Sequence, residues 1–258
     1  MGLRITGDTA LRWTAIFGVH AVVVFIWYLV VELGEIPKFV LASPQATFMS
    51  LFDDYPWIDN TLVTAIEIFG GYFLAVVVGV GLALMFSWFS TVETLLMPLV
   101  VSLNMVPKVA LGPLIIVWID YGLQTNIIIA FSISFLPILI TTARGLREVE
   151  PDLVDLVKTL RATRWQVFVK IQLPGSLPYI FSGMKVAVVL AVAGAIVGEI
   201  IASDSGLAYL IGQVQVTLDT AAMMMAVILI TLVGVALYLI VLILERVFVV
   251  RDARVENV

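Results

Sequence analysis

The sequence predicts an all-α, polytopic membrane protein of six transmembrane helices with both termini in the cytoplasm. Three observations point there. Of 258 residues, 62% are hydrophobic and 13% charged, with a mean hydropathy of +1.12, whereas a soluble domain carries about a quarter charged residues. The apolar residues gather in runs near the roughly 20 that a helix needs to cross a hydrocarbon core of about 30 Å. The basic residues fall almost entirely in alternate connections between those runs. This composition excludes a soluble enzyme, a nucleic-acid binder and a disordered tail. Without cysteine there are no disulfides, thiolate metal sites or cysteine nucleophiles.

The runs justify the spans in order, as one transmembrane domain over residues 1–258. Residues 13–31 are interrupted only by His20, the single histidine, read as a satisfied packing residue. The run is too long for a signal-peptide core, and no small-x-small site follows it, so it reads as a retained helix. Residues 62–86 contain Glu67, and their glycines Gly70, Gly71, Gly79 and Gly81 suit close helix packing. Residues 95–118 carry Lys108 and three prolines (Pro98, Pro107, Pro113). Residues 127–143 contain Pro137, residues 177–202 contain Lys185 and Glu199, and residues 221–244 hold no charge. None shows the alternating polarity of a membrane β-barrel.

Charge placement orients the chain, although its net charge is −5. With the N-terminus inside, the cytoplasmic side holds Arg4, Arg12, Arg144, Arg147, Lys158, Arg161, Arg164, Lys170, Arg246, Arg251 and Arg254, which is 11 of the 14 basic residues. Only Lys38 is outside, and Lys108 and Lys185 lie within spans, Lys185 reaching toward the cytoplasm.

Residues 144–176 form the one large cytoplasmic loop. Pro151 suits the first turn of a helix, and Glu148, Glu150 and Asp152 favour its N-terminal dipole. Leu153, Leu156, Val157 and Leu160 then recur as one apolar stripe, and Pro174 and Pro178 are expected to end the segment. Two readings stand for this amphipathic helix: an interfacial helix in the headgroup region, or a docking helix for a groove on a soluble partner.

At this loop the sequence resembles the permease subunits of ABC importers, whose cytoplasmic pattern is E-A-A-x3-G-x9-I-x-L-P. Asp155-Leu156-Val157 stands at the E-A-A, Arg161 at the glycine, and Ile171-x-Leu173-Pro174 at the end, with matching spacing but substituted residues at the first two positions. Elsewhere the chain is similar to the nitrate, sulfonate and taurine branch. The matching stretches are Ser43-Pro44, Val106-Pro107-Lys108-Val109-Ala110-Leu111 with Pro113-Leu114 and Trp118, and Phe135-Leu136-Pro137 with Thr142 and Gly145. Arg164-Trp165 and Val197-x-Glu199 with Ser205-Gly206-Leu207 complete them. Thr61-Leu62, Thr64, Glu67 and Gly71 look more like the permeases for thiamine-pyrimidine precursors or riboflavin.

The resemblance implies a type I ABC importer permease fold in the bacterial cytoplasmic (inner) membrane. It implies a transport subunit rather than an enzyme, with a second permease copy (a homodimer being the simpler arrangement), two cytoplasmic ATPase subunits and an extracytoplasmic substrate-binding protein as partners. The sequence has no Walker A pattern, so ATP-Mg falls to the ATPase partners and the chain itself needs no cofactor. The expected ATPase-coupling residues are Asp155, Leu156, Val157, Leu160, Arg161, Ile171, Leu173 and Pro174. Arg161 leaves three readings open: a reshaped ATPase socket, an added ion pair, or a degenerate half of a heterodimer.

Ionisable groups at membrane depth face a bundle interior or water. Glu67, Lys108 and Glu199 fall in the outer half of their spans. Either Lys108 pairs with Glu67 or Glu199 structurally, or these residues, with Asn104 and Pro107, line the translocation path or its gate. A cation there suits a small polar or anionic organic solute. The alternative in another class is an ion-coupled secondary transporter or channel using Lys108 and Glu199, which has no need of the 144–176 loop. An intramembrane enzyme lacks a nucleophile–base pair, and no catalytic or metal-binding residue is expected.

Overall fold

A computed structural model of the chain describes residues 7–107, 114, 117, 118, 120–148, 157 and 161–249, with side chains placed from residue 14 onward. Among the described residues there are helices and turns and no strand. The helices are α1 (Gly7–Leu33), α2 (Pro44–Met49) with a 3₁₀ turn at Ser50–Phe52, α3 (Trp57–Trp88), α4 (Ser90–Asn104) and α5 (Leu123–Arg147). After these come α6 (Arg164–Val167), a π-turn (Phe168–Gln172), α7 (Leu173–Ala202), α8 (Leu207–Val216) and α9 (Thr220–Phe248).

Five stretches among the described residues are long and apolar enough to cross a membrane: Thr14–Leu33, Trp57–Trp88, Leu123–Arg147, Arg164–Ala202 and Thr220–Phe248. They take in the expected spans at 62–86, 127–143, 177–202 and 221–244, and all but the first residue of 13–31. In the expected third span, 95–118, the structure has α4, 15 residues long, ending at Asn104. Met105 N–H closes that end on the Val101 and Ser102 carbonyls at 3.1 Å. Pro107 follows, and a proline disfavours helical backbone at the residue before it.

One expectation is corrected. Pro174 and Pro178 do not end the cytoplasmic segment, because helical backbone runs on from Arg164 to Ala202. Pro174 sits in the first turn of α7, where its missing N–H removes little, and Pro178 lies inside the helix. The π-turn just upstream absorbs the change of register.

The chain forms two compact units, residues 1–57 with 210–228 and residues 58–209 with 229–258. In the first unit, Ser43 caps α2 by accepting from Ala46 N at 3.3 Å, with Pro44 at its opening position. Trp27 Nε1 donates to the Ala42 carbonyl at 3.0 Å, and Thr220 Oγ1 to that of Phe39 at 2.7 Å. The Tyr55 hydroxyl donates to Asp219 Oδ2 at 2.8 Å, and that bond pushes the phenol up from 10 to about 12. His20 is satisfied within its own helix, Nδ1 lying 2.8 Å from the Ile16 carbonyl, on an exposed face.

The second unit is built on α5 packed along α7. Small residues let the backbones approach. A Cβ on Gly194 would stand 2.6 Å from Ala130 Cα, and one on Gly198 would stand 2.7 Å from Asn126 Oδ1. On α3, Gly70, Gly71 and Gly79 abut Ile127, Ala130 and Ile138, whereas Gly81 faces open space. The core so enclosed includes Ile68, Ala75, Ala130, Ile138, Ala187, Ala191 and Ala195. A second cluster gathers Phe86, Leu139, Leu146 and Phe168. The half-buried Lys185 Nζ pairs with both Glu245 carboxylate oxygens on α9, at 2.9 and 3.0 Å.

Candidate functional site

Asn60, Thr64, Glu67 and Gly71 recur on α3 at intervals of four, three and four residues, so a helix puts them on one face. That face is buried and polar: Asn60 is 6% exposed, and Thr64 and Glu67 are 0% exposed. Glu67 Oε1 accepts from Asn126 Nδ2 on α5 at 2.7 Å. Glu199, near the end of α7 and 1% exposed, accepts from Thr64 Oγ1 at 2.5 Å. The Glu67 and Glu199 carboxyls adjoin.

This cluster holds the turn after α7. The first N–H groups of a helix have no partner within it. At the start of α8, Glu199 Oε2 accepts from Ala208 N at 2.6 Å and from Tyr209 N at 3.3 Å. Thr64 Oγ1 accepts from Leu207 N at 2.8 Å, and Asn60 Oδ1 from Gly206 N at 2.8 Å. A carboxylate at a helix N-terminus is also favoured by the helix dipole. Gly206 has φ +110°, and a side chain there would run into the Glu199 carboxylate, so both the backbone and the space call for glycine. Val-x-Glu and Ser-Gly-Leu are thus two halves of one lock.

Of the expected path or gate residues, Glu67 and Glu199 are brought together. Asn104 ends α4, half-buried, its Nδ2 donating to the Ser132 carbonyl at 3.5 Å, and Pro107 lies just beyond it, exposed. Lys108, and with it either pairing to Glu67 or Glu199, lies outside the described residues.

Of the expected coupling residues, Asp155, Leu156 and Leu160 lie outside the described residues, while Val157 is helical and half-buried. Arg161 is exposed with φ +56°, and the next N–H, on Ala162, returns to the Val157 carbonyl at 3.1 Å. This is the closing bond of a Schellman motif, with Arg161 at the left-handed position where glycine is favoured. At the position that aligns with the glycine of the E-A-A pattern, this chain thus has an arginine on a left-handed backbone. Thr163 then opens α6 with a capping box, accepting from Gln166 N at 3.3 Å while its own N–H reaches Gln166 Oε1 at 2.8 Å. Ile171 and Leu173 are half-buried, and Pro174 is exposed.

Two ion pairs flank the start of this segment. Arg147 pairs with the buried Glu93 of α4, and Arg144 with Glu148 at 3.2 Å. The Arg144 guanidinium, and after it the Tyr179 hydroxyl, hold the exposed Glu148 carboxyl below its usual value. Sequence reasoning missed Glu93, Asn60 and Asn126 as partners. The one signal is for Asn60, an amide at helical register with the in-span Glu67; Asn126 has none, since its own helix holds no carboxylate.

Residues 75–251 match the family described as the binding-protein-dependent transport system inner membrane component. The chain is 32% identical to a probable ABC transporter permease protein of Haemophilus influenzae, over 84% of this chain and 89% of that one. It is also 32% identical to the riboflavin transport system permease protein RibX of Chloroflexus aurantiacus, over 86% and 84% respectively. The formylaminopyrimidine transport permease protein ThiX of Halalkalibacterium halodurans is 30% identical over 64% of this chain and 66% of that one. Together with the long apolar helices, these likenesses show the family: the chain belongs to the binding-protein-dependent inner membrane components, the multi-pass permease subunits of ABC transporters.

Proposed function

We propose that this permease forms the translocation path of an ATP-driven importer for a small polar or anionic organic solute. It does so as a pair with a second permease, most simply another copy of itself. Two cytoplasmic ATPase subunits bind ATP-Mg and drive the cycle through the 144–176 loop, and an extracytoplasmic binding protein delivers the solute. The observation that carries this reading is the family match over residues 75–251, which takes in the whole loop and the helices on either side of it. The turn at Arg161 supports it further: the residue at the expected glycine register is exposed and has a left-handed backbone.

Relatives named for riboflavin and formylaminopyrimidine support a nitrogen heterocycle as the cargo. Asn104, Pro107, Lys108, Glu67 and Glu199 are proposed to line or brace the outer part of the path, with Glu67 and Glu199 acting through the turn that they hold. The test is uptake into proteoliposomes containing the permease, its ATPase and its binding protein. Uptake is expected to require all three together with ATP. Uptake by the permease alone, driven by an ion gradient, would contradict the proposal and favour the carrier alternative.

A further inference from the structure

A cavity of about 410 Å³ opens between the end of α3 and the start of the Arg164–Ala202 helix, lined by Ser87, Trp88, Ala162, Arg164, Val167, Phe168 and Gln172. Its polar side chains share one property. The Ser87 hydroxyl and the Gln172 amide, which also accept, and the Arg164 guanidinium can all donate, and no carboxylate lines the space. Ser87 and Gln172 are half-buried, and no bond to another described residue takes up these groups. A guanidinium with no carboxylate in the lining calls for an anion, and flanking amide and hydroxyl groups that can donate suit a phosphate.

The depth of the cavity identifies the source of that phosphate. Trp88 lies 26 residues beyond Leu62, where the expected span begins, on the same helix, about 39 Å at 1.5 Å per residue. That exceeds the roughly 30 Å hydrocarbon core and falls within the 40–45 Å that includes the headgroups. The walls have the composition of a membrane interface: Trp88, Trp165 and Phe168 pack with ring centroids 5.4–6.0 Å apart, and both tryptophans remain substantially exposed. Arg164 and Lys170 put this end on the side rich in basic residues, where anionic lipids are drawn.

We propose that this cavity binds the phosphate headgroup of an anionic phospholipid. Arg164, Gln172 and Ser87 donate to the phosphate, and Trp88 and Phe168 flank the glycerol backbone. The cavity draws Ala162, Arg164, Val167, Phe168 and Gln172 from the 144–176 segment, and its ligand is independent of which solute is carried.

The test is native mass spectrometry of the purified full-length permease, titrated with phosphatidylglycerol or phosphatidylcholine. Phosphatidylglycerol is expected to bind at least about fivefold more tightly, the share of one basic residue at a membrane surface. That preference is expected to vanish in Arg164→Gln and to survive in Arg164→Lys. Equal binding of the two lipids, or an unchanged preference in Arg164→Gln, would overturn the proposal. Full displacement by millimolar inorganic phosphate would reassign the cavity to a soluble anion. Loss of the bound lipid when the ATPase subunits are added would reassign it to the protein partner. Either reassignment sinks the lipid site while leaving the importer reading in place.

Discussion

Glu199 accepts hydrogen bonds from Thr64, Ala208 and Tyr209 in a fully buried setting. Its truncation leaves three donors without an acceptor at once. Glu199→Ala is expected to destabilise the protein by about 3 kcal/mol, and Glu199→Gln, which keeps an acceptor oxygen, by about 1 kcal/mol. Thermal unfolding of the two variants in detergent checks that order. Arg161 is the opposite case, a side chain on a backbone that would be easier without one. Arg161→Gly relieves a left-handed residue and is expected to stabilise the local helix end by about 1 kcal/mol. Slower proteolytic cleavage within residues 144–176 is the readout, and faster cleavage would count against the Schellman reading. At this scale the sequence was partly legible. Carboxylates inside apolar runs announce that they need partners, so Glu67 and Glu199 stood out at once. Their partners did not, because an asparagine on α5 becomes relevant only when packing brings it opposite. The Lys185–Glu245 pair was hidden for the same reason: 60 residues separate its members.

Among elements, the contact of α5 with α7 depends on what is absent from the glycines. Ala130 Cα stands where a Gly194 Cβ would go, and backbone cannot yield as a flexible side chain can. Gly194→Ala is expected to cost about 1–3 kcal/mol, the usual range for overpacking. Gly212→Ala, on α8 with nothing within 4 Å, is expected to be neutral or slightly stabilising. Comparing the two unfolding midpoints separates lost packing from helix propensity. Long spans were readable because apolarity sustained over about 20 residues has few other uses. Short elements were not. α8 has ten residues, and its start is fixed by side chains from α3 and α7 rather than by a local cap. The break expected at Pro174 and Pro178 rests on proline's usual effect inside a helix, whereas here the helix carries Pro178 in its interior and a π-turn lies just upstream.

At the scale of the whole molecule, α1 and α9 expose long apolar faces, with Phe17, Phe25, Leu232 and Ile243 among the exposed residues. In water such faces would aggregate, and in a bilayer they meet lipid or other helices. The chain thus carries apolar flanks for the membrane and, at 144–176, a segment rich in charged residues whose Arg161 is exposed at a helix end. The central claim is that this segment passes the work of a separate ATPase to the permease. It is tested most directly by co-purifying the permease with the ATPase in detergent, as wild type and as the double variant Leu156→Asp, Leu160→Asp. The account predicts that wild type retains the ATPase and that the double variant, though still folded and membrane-inserted, loses it. An ATPase that stays bound to the double variant would contradict the loop's role, and a wild-type permease that never binds one would contradict the claim itself.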